Sequence, residues 1–463
     1  MHQKTTHTKP SHTSASFPWT SVYFVGIGGI GMSAIARYFV AQGLQVGGYD
    51  KTPTEITDAL IAAGAQIHFT DVVAIIPQVF LDKETTLVVY TPAIPATHVE
   101  LRYFTEKKFT LLKRAEVLGS ITKNTFCLAV AGTHGKTTTS SILGHIMQPI
   151  KATSFLGGIA ENYQSNLILG DSKVTVVEAD EFDRSFLQLA PDIACITSMD
   201  TDHLDIYGAP EALTASFVAF SKKVSSTLVV AKGLPLEGVT YAIEETADYS
   251  ARNVLVKNGS YVFDVQTPTE TVKNIHLSLP GKHNVMNALA AFAMAAIYGI
   301  PTAAIKKSLG TFKGVQRRFS YKINREDLVL IDDYAHHPTA INAVQNSVEE
   351  MYPNETTLAV FQPHLFSRTK DFVTEFAAAL SKFDEVLLLD IYPARELPIP
   401  GVTSSWLLEK ITCKNKLLIS KEDLIEKIKN SPAKIKVIMG AGDIGMLVED
   451  IQKSLELTQK RVV

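Results

Sequence analysis

Short apolar runs that end in glycine-rich or polar turns, each followed by a helix-like stretch, recur along the chain and organise it. The first such block is SVYFVGIGGIGMSAIARYFVAQGLQVGGYD, which reads as a strand, a glycine turn, a helix with alanine and aromatic residues on one face, and a second strand. This is a βαβ opening. A further strand, TLVVY, ends at the turn Thr91-Pro92-Ala93-Ile94-Pro95, and LLKRAEVLGSITKN leads away from the unit, which sets a boundary near residue 116. A second start, FCLAVAGTHGKTTTSSILGHIM, repeats strand, glycine loop and helix, with later strands at VTVVEAD and DIACITSMD. After GVQRRFSYK the runs LVLIDDYAHHP, TLAVFQPHLFSRT, EVLLLDIYPAR and KVIMGAGDIGML predict a third α/β domain from about residue 323. In open parallel sheets ligands gather at the carboxyl ends of strands, where all these turns lie, so a shared cleft is expected.

Length and composition narrow the picture. At 463 residues, with 46% hydrophobic and 20% charged positions, the chain has the make-up of an ordinary globular protein of two to four domains. No apolar run approaches the roughly 18 residues of a membrane helix, so no stable membrane insertion is expected. A net charge of -3 gives no basic surface for nucleic acid, and anion binding must come from local motifs. Cys127, Cys195 and Cys413 are widely spaced, which fits a reducing, cytoplasmic setting without disulfides or a zinc knuckle. Residues 1–20 are rich in Ser, Thr, His and Lys and read as a disordered tail, with His2, His7 and His12 as solvated polar residues.

The sharpest motif is Gly132-Thr133-His134-Gly135-Lys136-Thr137-Thr138, set between a strand and a helix. Glycines let backbone N–H groups curl around phosphate oxygens, Lys136 is placed to reach the β- and γ-phosphates, and the Thr137 hydroxyl can ligate Mg²⁺. Val130 stands where the standard G-x-x-x-x-G-K-[ST] loop has its first glycine, so this is a shortened variant. Gly26-Ile27-Gly28-Gly29-Ile30-Gly31, with Asp50 closing the next strand, matches the dinucleotide fingerprint. Taken alone it says NAD, yet the same geometry cradles any pyrophosphate and suits a nucleotide sugar equally well. Acidic residues cluster in VVEADEFD and SMDTDHLD; most read as solvated strand ends, whereas Glu178 and His203 are read as metal contacts, a turn cap being the other reading of His203. Asn284 and Asn287 open an alanine-rich helix and can cap it or bind adenine edges. Arg317-Arg318, then Asp333-Tyr334-Ala335-His336 after a strand, and His364 with Arg368 gather groups suited to phosphate and carboxylate, although each could be a surface ion pair.

In order, GTHGKTTT, VVEADEFD, DTDHLDIYG, KHNVMNA, RRF, DDYAHHP and QPHLFSRT resemble the Mur ligases, over residues 21 to about 450, and the N-terminal VGIGGIGMS looks most like the branch that adds L-alanine to UDP-N-acetylmuramate. The resemblance implies an α/β fold of three domains: a Rossmann-like UDP-sugar-binding domain at 21–115, a P-loop ATPase-like domain with a mostly parallel sheet at 116–322, and a Rossmann-like amino-acid domain at 323–463. It implies ATP contacts at the phosphate loop, Asn284, Asn287, Arg318 and Asp333, and Mg²⁺ ligation at Thr137, Glu178 and His203. UDP-sugar contacts fall at Gly26, Gly28, Gly29, Gly31 and Asp50, and muramate or alanine contacts near Tyr334, His336, His364 and Arg368. Lys136, Glu178, His203, Arg318, Asp333 and His336 form the implied catalytic set, in a monomer or homodimer. Sister enzymes carry a carbamylated lysine shortly after D-H-x-D; here ALTASFVAF has none, as in the first-step branch. Leu365 departs from the family, which often has arginine there, leaving Arg368 as the anion anchor. The alternatives are a family ligase that attaches an intact tripeptide, an NAD-dependent dehydrogenase, and a nucleotide-binding regulator without catalysis.

Overall fold

The computed structural model describes residues 17–201, 204–257, 260–394 and 396–459. Residues 1–16 of the expected tail, and His203, lie outside the described residues. Residues 17–20 do not follow the expectation of disorder, because Phe17 sets its ring edge-on to Phe39 at 5.2 Å and Trp19 joins the same apolar cluster. The rings of this Phe-Pro-Trp-Thr segment supply the apolar surface that holds it against the domain.

Among the described residues the strands form three sheets. The first is parallel throughout, in the order β3-β2-β1-β4-β5, built from β1 (Ser21–Val25), β2 (Gln45–Tyr49), β3 (Gln66–His68), β4 (Thr86–Tyr90) and β5 (Thr110–Lys113). Its order reverses between β1 and β4, so the turns after these two strands, Gly26–Gly31 and Thr91–Pro95, open one crevice. β1 is buried along its whole length, as expected of a strand covered on both faces. Inside this domain the Tyr23 hydroxyl donates to Glu100 at 2.6 Å, and burial pushes the Glu100 carboxyl up to about 7.

The second sheet runs β15-β14-β13-β12-β11-β10-β6-β9-β7-β8. Its strands are β6 (Phe126–Ala131), β7 (Thr153–Ala160), β8 (Ser165–Ile168), β9 (Val174–Glu178), β10 (Ile193–Ile196), β11 (Thr227–Ala231), β12 (Val239–Ile243), β13 (Tyr249–Lys257), β14 (Ser260–Gln266) and β15 (Thr271–Leu277). β6 lies between β9 and β10, parallel to both, so the loops leaving all three converge. The helix Lys136–Ile146 that follows β6 packs on the helix Lys282–Tyr298, whose run of buried alanines permits close approach.

The third sheet runs β16-β17-β21-β18-β19-β20, formed by β16 (Ser320–Asn324), β17 (Val329–Asp333), β18 (Thr357–Phe361), β19 (Glu385–Leu388), β20 (Asn415–Leu418) and β21 (Ile435–Met439). β16 straddles the expected division at 323 and pairs antiparallel with β17, in the third sheet. The first domain and one face of the second share an apolar cluster, and Asn166 donates to Ser33 at 2.8 Å across the seam. The third domain has its own cores and meets the second at a tight crossing. There the Gln316 N–H bonds the Ile159 carbonyl at 2.9 Å, and the Tyr334 N–H bonds the Arg317 carbonyl at 2.7 Å. No helix among the described residues is long and apolar enough to cross a membrane.

Candidate active site

Between β6 and its helix, Gly132 and Gly135 take φ of +132° and +81°, conformations that L side chains rarely adopt. Space forbids side chains there as well: a Cβ on Gly132 would lie 2.1 Å from the Thr197 hydroxyl, and one on Gly135 2.4 Å from Asn287 Oδ1. The segment after β10 braces the loop, with Ser198 Oγ accepting from the His134 N–H at 2.8 Å and Thr133 Oγ1 accepting from the Asp200 N–H at 3.0 Å. His134 stands 3.3 Å from Asp200, and this contact holds the Asp200 carboxyl below its ordinary range.

The Lys136 ammonium donates to the Gly132 carbonyl at 2.7 Å and is held by both carboxylate oxygens of Glu181, at 2.9 and 2.8 Å. Glu181 is fully buried. Burial works against the charged lysine, but Glu181, then Asp180 and Glu178, outweigh it and keep Lys136 above its ordinary pKa. Glu178 ends β9 facing the Thr137 hydroxyl at 3.0 Å and the Gly157 N–H at 3.0 Å. Burial raises its pKa and Lys136 opposes the rise, so a nearby cation stabilises its ionised form. Thr137 and Glu178 present hard oxygens side by side, a donor set that fits Mg²⁺ completed by phosphate oxygens. Among the described residues no group of three or more His, Cys, Asp or Glu is arranged to hold a metal ion by itself.

Lys136, Thr137 and Glu178 line a cavity of about 640 Å³ between the second and third domains, with Thr133, His134, Thr138, Asn284, Asn287, Arg318, Asp333, Tyr334 and His336 also on its walls. Asn284 donates to the Pro280 carbonyl at 2.6 Å and accepts from Asn287 at 3.1 Å, while Asn287 accepts from Thr139 at 3.2 Å. The two amides therefore join the helix Lys282–Tyr298 to the phosphate-loop helix. Asp333 is buried and accepts from the Phe319 and Ala335 N–H groups at 2.6 and 2.7 Å. Burial pushes it up to about 6 against the pull of Arg318. Arg317 and Arg318 each hold a guanidinium 5.2 Å from the centre of the Tyr334 ring. His336 bonds the Tyr334 carbonyl through Nδ1 at 2.8 Å and lies 6.0 Å from the His364 ring, which stacks on Tyr392 and contacts Arg368 at 3.4 Å. Leu365 has φ of +71° and is buried, so its side chain faces the protein.

A second cavity, about 300 Å³, lies between the first and second domains. Gly29 and Gly31 line it, as do Lys113 and Arg114. Beside it Gly26 sits at φ +89°, and the Gly28 N–H donates to Asp50 Oδ2 at 2.7 Å, so Asp50 fastens the loop. The two cavities share Gly157, Glu178, Asp180 and Phe182. Sequence reasoning missed three features. Glu181 reads in the sequence as one of the solvated acids, since nothing in its spacing shows that it turns inward. His283 lines the larger cavity, where burial drives its imidazole down to about 4. Lys113 and Arg114 lie in what reads as a connecting stretch, and only the closing of the sheet brings them to the glycine loop.

Three family models match consecutive parts of the chain: "Mur ligase family, catalytic domain" at residues 21–125, "Mur ligase middle domain" at 130–295, and "Mur ligase, glutamate ligase domain" at 317–444. The chain is 60% identical over 439 residues to a UDP-N-acetylmuramate–L-alanine ligase of Flavobacterium johnsoniae, covering 94% of this chain and 98% of the relative. It is 48% identical over 449 residues to the enzyme of the same name from Parabacteroides distasonis, covering 94% and 97%. Among solved structures it resembles a UDP-N-acetylmuramate–alanine ligase from Thermotoga maritima, with a TM-score of 0.82 at 27% identity over 95% of this chain and 99% of that one. A murein peptide ligase from Psychrobacter arcticus shares the fold, with a TM-score of 0.68 at 22% identity over 94% and 98%.

Proposed function

The chain belongs to the Mur ligase family, and from that premise we propose that it joins the carboxylate of UDP-N-acetylmuramate to the amine of L-alanine, converting ATP to ADP and phosphate. The observation that carries this reading is the meeting of two cavities at Glu178 and Asp180, one bordered by the phosphate loop and the other by the glycine loop of the first domain. A γ-phosphate entering from one side and a sugar carboxylate entering from the other would come together there. The 60% and 48% identities to L-alanine ligases favour alanine over an intact tripeptide, because likeness to the murein peptide ligase is one of fold.

A carboxylate is too poor an electrophile to form an amide directly. Its oxygen attacks the γ-phosphorus, ADP leaves, and the acyl phosphate is then attacked by the amine, which expels phosphate. Lys136 neutralises charge on the transferring phosphoryl group, and the N–H groups of Gly135 and Lys136 at the helix start orient the chain of phosphates, those of Thr133 and His134 being taken by Ser198. Mg²⁺, held by Thr137 and Glu178, would supply further charge neutralisation at the phosphate oxygens, with His203 the remaining expected ligand. Arg318 supports the phosphate side from the third domain. His336, whose Nδ1 bonds a carbonyl, has Nε2 as acceptor in that tautomer and is our candidate to take the proton of the attacking ammonium. ATP and a nucleotide sugar as substrates favour a cytoplasmic location.

The test is incubation with ATP, Mg²⁺, UDP-N-acetylmuramate and L-alanine, following phosphate and the alanyl product together. Equal release of both, absent when any component is omitted, is the expected result. Product formed faster from L-Ala-γ-D-Glu-meso-diaminopimelate than from L-alanine would overturn the proposal.

A further inference from the structure

Resting on the function proposed above, we infer that Arg114, with Lys113 beside it, is the cationic receptor for the diphosphate of the sugar nucleotide. The glycine loop offers a diphosphate only neutral N–H groups and the partial charge of one helix end. Among the described residues lining the smaller cavity, Lys113 and Arg114 carry positive charge, and Glu178 and Asp180 carry negative charge. A dianionic group lodged there therefore has these two side chains as its cations.

Their placement matches that task. Arg114 follows β5 directly, and its guanidinium lies over the first turn of the helix Ile30–Ala41: a Cβ on Gly31 would be 2.6 Å from Nη1. One nitrogen, Nη2, pairs with Asp180 at 3.3 Å. A guanidinium has five N–H donors in a planar fork, so one such contact leaves capacity for a bidentate bond to phosphate. Lys113 pairs with Asp183 at 3.1 Å. Both carboxylates come from the second domain, on a segment where Asp183 and Arg184 have φ of +52° and +55°. The two acids neutralise the two cations while no phosphate is bound, and an arriving diphosphate exchanges with them. The absence of a side chain at Gly31 leaves the space in which the Arg114 guanidinium lies.

The opposing view is that Arg114 merely pins the two domains through Asp180. Arg114→Gln and Asp180→Asn separate the two, with UDP and UDP-N-acetylmuramate as calorimetric probes and thermal melting to verify folding. Arg114→Gln should weaken both probes by roughly tenfold or more, the loss of a charge-assisted fork, while KM for ATP changes little. Asp180→Asn should bind UDP as well as or better than wild type, because it frees the arginine. Unchanged UDP binding by Arg114→Gln overturns the inference. So does a loss confined to UDP-N-acetylmuramate, which would assign Arg114 to the sugar carboxylate, and so does equal weakening of UDP in both variants, the signature of pinning. Should Arg114→Gln fail to fold, Arg114→Met keeps the apolar stem and removes the charge, and undiminished UDP binding by it overturns the inference equally. A wild-type protein that binds UDP but forms no alanyl product would sink the proposed function and leave this assignment standing.

Discussion

Replacing Glu181 with alanine tests how the phosphate-loop lysine is held. Glu181 is fully buried and Lys136 is 14% exposed, with both carboxylate oxygens within 2.9 Å of the ammonium. Removing one member of a buried pair costs roughly 3 to 5 kcal/mol, because the other charge is stranded. The Gly132 carbonyl and the nearby Asp180 and Glu178 still support the lysine, which argues for the lower end. At 2 to 4 °C per kcal/mol for a domain of this size, a loss of about 3 kcal/mol lowers the melting temperature by roughly 6 to 12 °C. Lys136→Ala should destabilise as well, by removing the ammonium from the buried Glu181 carboxylate. The double variant removes both charges, so denaturant unfolding of all four proteins should give a coupling energy of about 2 kcal/mol or more. Lys136→Met with Glu181→Leu should be at least as stable as wild type and inactive, since a buried pair is often no more stable than well-packed apolar residues. A coupling energy below about 0.5 kcal/mol would refute the reasoning, as it would mean that the lysine does not depend on Glu181.

Other outcomes follow from the same geometry. Gly28→Ala should raise KM for the sugar nucleotide and leave KM for ATP unchanged, because the new methyl would lie 2.9 Å from Asp50 Oδ2 and 3.0 Å from Thr57 Cγ2; steady-state kinetics with each substrate varied would contradict this if both constants stay at wild-type values. Glu100 has a folded-state pKa of about 7, above its unfolded value, so its contribution to stability is complete at acid pH and is lost as pH rises through neutrality. Glu100→Gln should therefore change stability little near pH 4.5 and increase it near pH 8 by an amount on the order of 3 kcal/mol, read from denaturation at both pH values; equal effects at the two would disprove it. L-Alanine should give the highest kcat/KM, with glycine and L-serine poorer but saturable and D-glutamate refused, since a methyl pocket discriminates by only about 1 to 3 kcal/mol. D-Glutamate outpacing L-alanine would rule this out.

What the sequence made legible was backbone chemistry. Phosphate loops require glycine between strand and helix, so Gly132, Gly135 and Gly26 could be read directly, and each has positive φ. Side-chain partnerships over long separations were not legible. Glu181 meets Lys136 across 45 positions, and Arg114 meets Asp180 across 66, pairings created only by strand order. Asp50, read from the sequence as a UDP-sugar contact, also fastens the Gly28 N–H, a second partner that its place at a strand end did not announce. The stretch from β11 to β15 yielded no assignment, although β14 alternates partly exposed and buried residues as a half-covered antiparallel strand should. Nor does any leucine announce the positive φ of Leu365, which explains why an apolar residue is accommodated at a position where a cation was expected.

The crossing between the second and third domains sets the manner in which the larger cavity can close. Gln316 is fastened to β7, and the carbonyl of the very next residue, Arg317, is fastened to the segment leaving β17. With no spare chain between the two fastenings the crossing is short, and away from it Glu350 ties the domains again, to Lys282 at 3.0 Å and to the Tyr261 hydroxyl. The travel of an atom on a pivoted body grows with its distance from the pivot. Arg318, one residue beyond it, would move least in any rotation about the crossing. His364 and Arg368, which leave β18 on the far side of β21, sweep wider arcs. Rotation about the crossing would therefore displace the groups proposed for the amino-acid side more than Arg318, and it would first have to release Glu350 from Lys282 and Tyr261.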